Sequence, residues 1–133
     1  MKVTTGIDII EVERIKEAIL EVGDSFLNRI YTEKEIEYCN KSEVMKYQHF
    51  AARFAAKEAV FKAISEYIDG RKDAIWKDIE ITNIESGKPE INVDKLKENI
   101  NKTGDNVRLI NIDVSISHIR DFAVASAVAL VQK

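Results

Sequence analysis

The stretch VRLINIDVSISHIRDFAVASAVALV, residues 107–131, decides the fold of this chain. Its first half alternates apolar and polar residues, which predicts a β-strand with one apolar face. That face comprises Ile110, Ile112, Val114 and Ile116, and the opposite face comprises Asn111, Asp113, Ser115 and Ser117. A tight connection at residues 118–121 leads to a second strand at 122–131, so the stretch predicts an antiparallel hairpin.

The second strand avoids water on both faces. One face carries Ala123, Ala125, Ala127 and Ala129, and the other carries Phe122, Val124, Val128 and Leu130. Because an antiparallel sheet commonly leaves one face in water, a strand of this kind needs a covering layer on each side. Helices of this small chain are expected to cover one face and another subunit the second. The alternative is that the N-terminal helices wrap around both faces.

Upstream of this hairpin the sequence predicts one more strand followed by helices. Residues 3–10 are rich in β-branched residues, and residues 11–22 have apolar positions at helical spacing before Gly23. A short helix is predicted at 24–31, a third from the Thr32–Glu35 capping box to about Cys39, and a long one over 43–67. Two short strands around Ile79–Ile81 and Ile91–Val93 and a helix at 94–102 complete the chain. We expect an α+β fold: an antiparallel sheet, helices on one face and a long central helix.

Composition excludes several classes of protein but does not identify a function. The 133 residues are expected to form a single domain, 1–133, and 20 basic against 23 acidic residues give a net charge of −3. This balance produces no positive field for nucleic acid, so no nucleic-acid partner is expected. Cys39 is the only cysteine, which excludes an intrachain disulfide and a zinc site of cysteines. The longest apolar run, 122–131, is far shorter than a membrane span, and we expect a cytoplasmic protein without a membrane partner.

The long helix contains the stretch HFAARFAAKEAVFKAI, residues 49–64, which is the main candidate for chemistry. Alanines occupy much of its circumference, and Glu58 and Lys62 project from this small-residue face one turn apart. One interpretation is an exposed ion pair of little energetic consequence. The other is a metal-assisted phosphate site, in which the carboxylate binds a hard cation and the lysine meets phosphate charge.

Such a cation requires a second carboxylate, and Asp8 is the leading candidate. It interrupts an apolar strand, where aspartate is disfavoured. Its alternative role is the N-cap of the helix that begins near Glu11. Ser115, Ser117 and His118 are further candidates for phosphate contact or nucleophile positioning, although a histidine near a turn is more often structural. The sequence offers no acyl-transfer triad and no glycine-rich phosphate loop.

Taken together, these segments resemble the holo-acyl-carrier-protein synthase family, the small bacterial 4'-phosphopantetheinyl transferases. The resemblance extends nearly end to end, and its most specific part combines the early aspartate with the long-helix signature. It covers GIDIIEVERI at 6–15, ARFAAKEAVFKA at 52–63, the segment 76–81, SGKP at 86–89 and DVSISH at 113–118.

The resemblance implies transfer of 4'-phosphopantetheine from coenzyme A to a serine of apo-acyl carrier protein, with release of adenosine 3',5'-bisphosphate. It implies magnesium held by Asp8 and Glu58, with Lys62 on the phosphates, and carrier binding by Arg14. The acceptor of the serine proton is either Glu58 or a metal-bound water, and the sequence does not choose between them. The residues implied to line coenzyme A are Arg53, Lys57, Lys62, Gly87, Lys88, Pro89, Ser117 and His118.

The resemblance also implies a homotrimer with active sites between subunits, in agreement with the two-sided terminal strand. Two features depart from the family pattern. The segment ISEYIDGRKD, residues 64–73, contains one glycine where many relatives have a glycine-rich turn, and the helix that carries Arg14 is mixed in charge. An alternative function is therefore a carrier-binding or nucleotide-binding module of the same fold without catalysis, and another is a purely structural oligomer.

Overall fold

The computed structural model describes residues 1–68, 75–83, 85–101 and 106–133. The second half of the predicted glycine-poor segment, residues 69–73, lies outside the described residues. The strands are β1 (Lys2–Glu11), β2 (Glu80–Asn83), β3 (Pro89–Asn92), β4 (Arg108–His118) and β5 (Phe122–Gln132). The α-helices are α1 (Val12–Val22), α2 (Asp24–Ile30), α3 (Glu33–Asn40), α4 (Lys46–Ile64) and α5 (Asp94–Asn101). Short 3-10 helices occupy Ser65–Tyr67 and Trp76–Asp78.

The main sheet has the order β1-β5-β4 with both pairs antiparallel, and β2 and β3 form a separate hairpin. Helix α4 packs on one face of the main sheet, against the alanine side of β5. The small alanine side chains let the helix approach the strands closely, and large apolar residues of β4 and the hairpin fill the remaining core. The α+β prediction, with its long central helix on an antiparallel sheet, is confirmed.

The opposite face of the main sheet is open. Val3, Ile7 and Ile9 of β1 are 62%, 65% and 66% exposed, and Val128 of β5 is 49% exposed. Helices therefore cover one face only, and the alternative in which N-terminal helices wrap both faces does not occur in the described residues. A row of large apolar side chains in water is a costly surface for a monomer.

Two details of the strand and helix predictions were wrong. A register shift between Leu109 and Asn111 places Leu109, 2% exposed, in the core where the alternation predicted Ile110. Such an irregularity adds a residue to one strand, so that the residues before it point to the opposite face of the sheet from the one that the alternation predicts. Helix α4 begins at Lys46 rather than near residue 43, because the Ser42 hydroxyl accepts a hydrogen bond from the Met45 backbone and holds a turn there.

Candidate functional site

Close packing between β1 and α4 positions Asp8. A Cβ at Gly6 would lie 1.9 Å from the Ala59 carbonyl oxygen and 2.8 Å from the Ala63 nitrogen, so only glycine lets the strand touch the helix backbone. Asp8 follows two residues later on the same face of β1, and its side chain therefore also points toward α4. The N-cap of α1 is Glu11, without a side-chain cap bond, so the predicted alternative role of Asp8 as N-cap does not apply.

Lys62 and Asp8 form an ion pair at this junction. The Lys62 ammonium lies 3.2 Å from Asp8 Oδ1 and donates to the Ile7 carbonyl oxygen at 2.8 Å. The lysine side chain is 50% exposed and the aspartate 16%, so a ligand in solution can reach both. Glu58 is 7% exposed and precedes Lys62 by one helical turn. The structure thus brings Asp8 and Lys62 into contact, with Glu58 one helical turn before Lys62 on α4.

The charges at this junction suit a hard cation with a phosphate. Two carboxylates and one ammonium leave a net negative charge, and magnesium is usually held by one or two carboxylates plus waters and substrate phosphates. Among the described residues no group of three or more His, Cys, Asp and Glu side chains is arranged to hold a metal ion. Asp8 and Glu58 are two carboxylates of the type that such a cation binds.

Arg53 lies on a different side of α4 and is nearly buried, at 4% exposure. It donates from Nη2 to Asn83 Oδ1 at 2.7 Å, and its guanidinium lies 4.3 Å from the centre of the Tyr38 ring. Asn83 in turn donates to the Gly87 carbonyl at 2.9 Å. Arg53 thus connects to the SGKP turn through an asparagine that sequence reasoning did not single out.

Lys57 requires a correction, because coenzyme contact does not fit its position. Its side chain is 0% exposed, and its ammonium lies 2.8 Å from Oε1 of Glu35, which is equally buried. It also donates to the carbonyl oxygens of Trp76, at 2.7 Å, and Ile79. Burial lowers the pKa of Lys57, and the Glu35 carboxylate opposes that shift. Lys57 is an internal structural residue. The sequence identified Glu35 only as part of the capping box and did not indicate its ion pair with Lys57.

The SGKP turn is exposed and owes its shape to Gly87. Gly87 has φ +86, a conformation that residues with a Cβ rarely adopt. Apart from its two chain neighbours, no described residue has an atom within 4 Å of where its Cβ would be. The glycine is thus required for backbone conformation rather than for packing. Lys88 is exposed and Pro89 begins β3 half-buried, so this predicted group is open to a ligand.

His118 ends β4 on the helix side, whereas Ser117 is exposed on the open face. His118 Nδ1 lies 2.9 Å from Gln48 Oε1, and the His118 ring packs edge-on against His49 at 5.7 Å. Burial, with smaller contributions from Arg53 and His118, lowers the pKa of His49. Gln48 fixes the orientation of His118, a contact that no sequence signal indicated.

Within one subunit, the predicted residues lie in two separate groups. Asp8 lies on β1, and the hairpin with the SGKP turn packs beside β4, at the opposite edge of the main sheet. Arg14 is exposed on α1, away from the core. The chain therefore has a carboxylate–lysine cluster and, apart from it, an exposed turn. A single ligand can contact both only if the two groups lie closer together than they do within one chain.

Comparison with known proteins decides the family. The model of the 4'-phosphopantetheinyl transferase superfamily matches residues 4–125. The holo-[acyl-carrier-protein] synthase of Ruminiclostridium cellulolyticum is 44% identical over 128 residues, covering 96% of this chain and 92% of that protein. The chain belongs to the holo-acyl-carrier-protein synthase family. The Glu58 and Lys62 signature and Asp8 all fall within the matched span.

Solved holo-[acyl-carrier-protein] synthases share the fold. The Helicobacter pylori enzyme in complex with coenzyme A superposes with a TM-score of 0.74 at 29% identity, covering 95% of this chain and 99% of that one. The Bacillus anthracis enzyme, in complex with coenzyme A (3',5'-ADP), gives a TM-score of 0.67 at 32% identity, with coverages of 95% and 94%. These likenesses extend over nearly the whole chain, so the fold itself is that of the family.

The described residues were also searched for membrane-spanning helices. None of their helices combines the length and the apolar character that crossing a bilayer requires.

Proposed function

We propose that the protein transfers 4'-phosphopantetheine from coenzyme A to a serine of apo-acyl carrier protein, giving holo-acyl carrier protein and adenosine 3',5'-bisphosphate. The observation that carries the proposal is the Lys62–Asp8 contact of 3.2 Å beside Glu58, in a chain of this family. Phosphoryl transfer depends on positioning and on neutralisation of phosphate charge, and this cluster supplies both an ammonium and metal-binding carboxylates.

Magnesium is the metal we assign to Asp8 and Glu58. When bound, it neutralises charge on the phosphate oxygens of the transferred group. The two carboxylates supply two oxygen ligands, and phosphate and water complete the set that magnesium prefers. Lys62, held toward the cluster by the Ile7 carbonyl, stabilises the phosphate charge that develops during transfer.

The exposed Ser86–Pro89 turn and the neighbourhood of His118 are the surfaces we assign to the nucleotide part of coenzyme A. Gly87 exposes backbone groups and Lys88 adds a positive charge at the same turn. Coenzyme contact by Ser117 and His118 stays a prediction, supported by the exposure of the serine and the fixed orientation of the histidine. Arg53 acts on the turn through Asn83 rather than through an exposed guanidinium.

We further propose that the protein is a homotrimer with active sites between subunits. The support is the open apolar face of the main sheet and the separation of the carboxylate cluster from the turn. A neighbouring subunit that covers the face also supplies the missing half of a site. The carrier protein is assigned to Arg14 on α1, and a cytoplasmic location stays a prediction.

Release of adenosine 3',5'-bisphosphate, followed by chromatography, tests this function. The protein is incubated with coenzyme A, magnesium and an apo-acyl carrier protein. Glu58→Ala is expected to nearly abolish release while the circular dichroism spectrum stays unchanged. Glu98→Ala, an exposed carboxylate on α5, is the matched control and is expected to keep the wild-type rate. Equal rates for Glu58→Ala and the wild type would remove the proposed metal role of Glu58.

A further inference from the structure

A buried ion pair fixes the base of the β2–β3 hairpin on α4. Lys57 pairs with Glu35 at 2.8 Å, and neither side chain is exposed. Lys57 also donates to the carbonyls of Trp76 and Ile79, and Glu35 Oε2 accepts from the Ile81 backbone at 3.1 Å. Moving the start of β2 along α4 leaves a buried charge without its partners, which is strongly unfavourable. The hairpin therefore has a set position at its base.

Asn83, at the far end of β2, connects α4 to the turn. Its Oδ1 accepts from Arg53 at 2.7 Å and its Nδ2 donates to the Gly87 carbonyl at 2.9 Å. A guanidinium offers only donors and a backbone carbonyl only accepts, so this amide orientation is the one that satisfies both neighbours. The asparagine side chain thus joins the helix and the turn in one directed chain of hydrogen bonds.

The two ends of this series of hydrogen bonds differ. Arg53, on the helix, is held by its contacts, whereas the turn around Gly87 is not packed. Arg53 is 4% exposed and stacks on the Tyr38 ring, so its guanidinium is held within the protein. At Gly87, in contrast, no described residue apart from its two chain neighbours has an atom within 4 Å of the position of a Cβ. Packing at Gly87 contributes little to fixing the turn, and the hydrogen bond from Asn83 supplies a tether.

We propose that Asn83 is a positioning residue for coenzyme A, which holds the Ser86–Pro89 turn in the shape that receives the nucleotide. This inference rests on the proposed function, because that function assigns the turn to the coenzyme. A turn ordered before binding avoids the entropy cost of ordering during binding. Removal of the tether therefore weakens coenzyme binding and leaves the distant carboxylate cluster intact.

Two variants of Asn83 and one control test the inference. Asn83→Asp keeps an oxygen for Arg53 but sets a carboxylate oxygen against the Gly87 carbonyl, and Asn83→Ala removes both contacts. Thr82→Val, the adjacent residue of β2, changes a side chain of similar size outside the hydrogen-bond chain and is the matched control. Calorimetric titration of the full-length protein with coenzyme A is expected to show about tenfold weaker binding for both Asn83 variants. Binding by Thr82→Val is expected to equal that of the wild type.

Kinetics and hydrogen exchange separate positioning from a general loss of structure. The KM for coenzyme A is expected to rise about tenfold in both Asn83 variants while kcat stays within about twofold. Exchange measured by mass spectrometry is expected to accelerate at residues 85–88 and to stay unchanged in β1 and β5. Unchanged affinity in both Asn83 variants, or a fall in kcat without a change in KM, overturns the inference.

The outcomes also distinguish this inference from the function on which it rests. If the wild type binds coenzyme A but modifies no carrier, the proposed transfer fails, and the affinities of the Asn83 variants still decide the positioning role. If the wild type does not bind coenzyme A, both proposals are overturned.

Discussion

The ammonium of Lys62 lies 3.2 Å from a carboxylate oxygen of Asp8, although 54 positions separate the two residues in the sequence. The contact joins the last turn of α4 to the middle of β1. Glu58, four residues before Lys62, lies on the same side of the helix. Because both partners retain access to solvent, the pair contributes little to stability and is available to a substrate. The main role of the pair is therefore chemical rather than structural.

Replacement of Lys62 by methionine is expected to reduce kcat roughly a hundredfold or more, because the transition-state charge on the phosphate loses its ammonium partner. The free energy of unfolding is expected to change by less than about 1 kcal/mol, since the ion pair is partly exposed. Steady-state kinetics and urea denaturation measure the two effects. Lys95→Met, at an exposed position of α5, is the control and should behave as the wild type. A Lys62→Met enzyme of full activity would exclude lysine from the chemistry.

Gly6→Ala is expected to separate β1 from α4. The new Cβ meets the Ala59 carbonyl at 1.9 Å, which backbone atoms can relieve only by moving. We expect a loss of at least about 1 to 3 kcal/mol in the free energy of unfolding, together with a lower kcat because Asp8 moves with the strand. Urea denaturation and kinetics measure both. Ser25→Ala, at an exposed position of α2, should leave kcat and stability unchanged. Wild-type stability in Gly6→Ala would contradict the close packing.

The sequence predicted most of the fold because its strongest signals are local. Alternation in β4, helical spacing in α1 and the Thr32–Glu35 capping box each depend on neighbours in the chain, and all three elements formed. The shift at Leu109 was missed because a register irregularity depends on how two strands meet, which alternation within one strand does not reveal.

The structure shows where the predicted site residues lie, and their roles stay predictions. Asp8 and Lys62 are in contact and Glu58 lies one turn before Lys62; they were singled out because an aspartate in a strand and charges on an alanine face are unusual in any sequence. Lys57 was expected to line coenzyme A, but it is buried against Glu35 and against carbonyls far along the chain. Contacts of that range leave no periodic signal, which is also why Asn83 was missed.

Stability is expected to fall at alkaline pH because of Cys39. Burial raises the pKa of this thiol from its ordinary value of 9.0 to about 12. Above pH 9 the thiol of the unfolded chain loses its proton while the folded protein retains it, so rising pH stabilises the unfolded state relative to the folded state. Between pH 8 and pH 10 the contribution of Cys39 is a loss of about 1 kcal/mol.

Urea denaturation of the wild type and Cys39→Ala at these two pH values isolates that contribution. Tyr31 is present in both proteins, so the part of its raised pKa that comes from burial, the largest cause, cancels in the comparison. Cys39→Ala should lose less stability between pH 8 and pH 10 than the wild type does. Equal losses in the two proteins would contradict the burial of a neutral thiol.

Val128→Lys is expected to prevent oligomer formation. Val128 lies on β5, the central strand of the open face, opposite Thr5 of β1 and on the same face as the exposed Ile7 and Ile9. A lysine there requires burial of a charge in any interface that uses this face. Sedimentation is expected to show a trimer for the wild type and a monomer for the variant, with transfer activity lost in the monomer. Light scattering that shows a wild-type monomer at micromolar concentration would eliminate the subunit-interface account.

The intact mass of an apo-acyl carrier protein tests the central claim most directly. The purified protein is incubated with coenzyme A and several apo carriers, with magnesium and with excess chelator. The account predicts that magnesium supports a mass gain of one phosphopantetheine group on at least one carrier, and that the chelator prevents it. Unmodified carriers in every magnesium-containing reaction, under conditions where a holo-[acyl-carrier-protein] synthase modifies them, would contradict it.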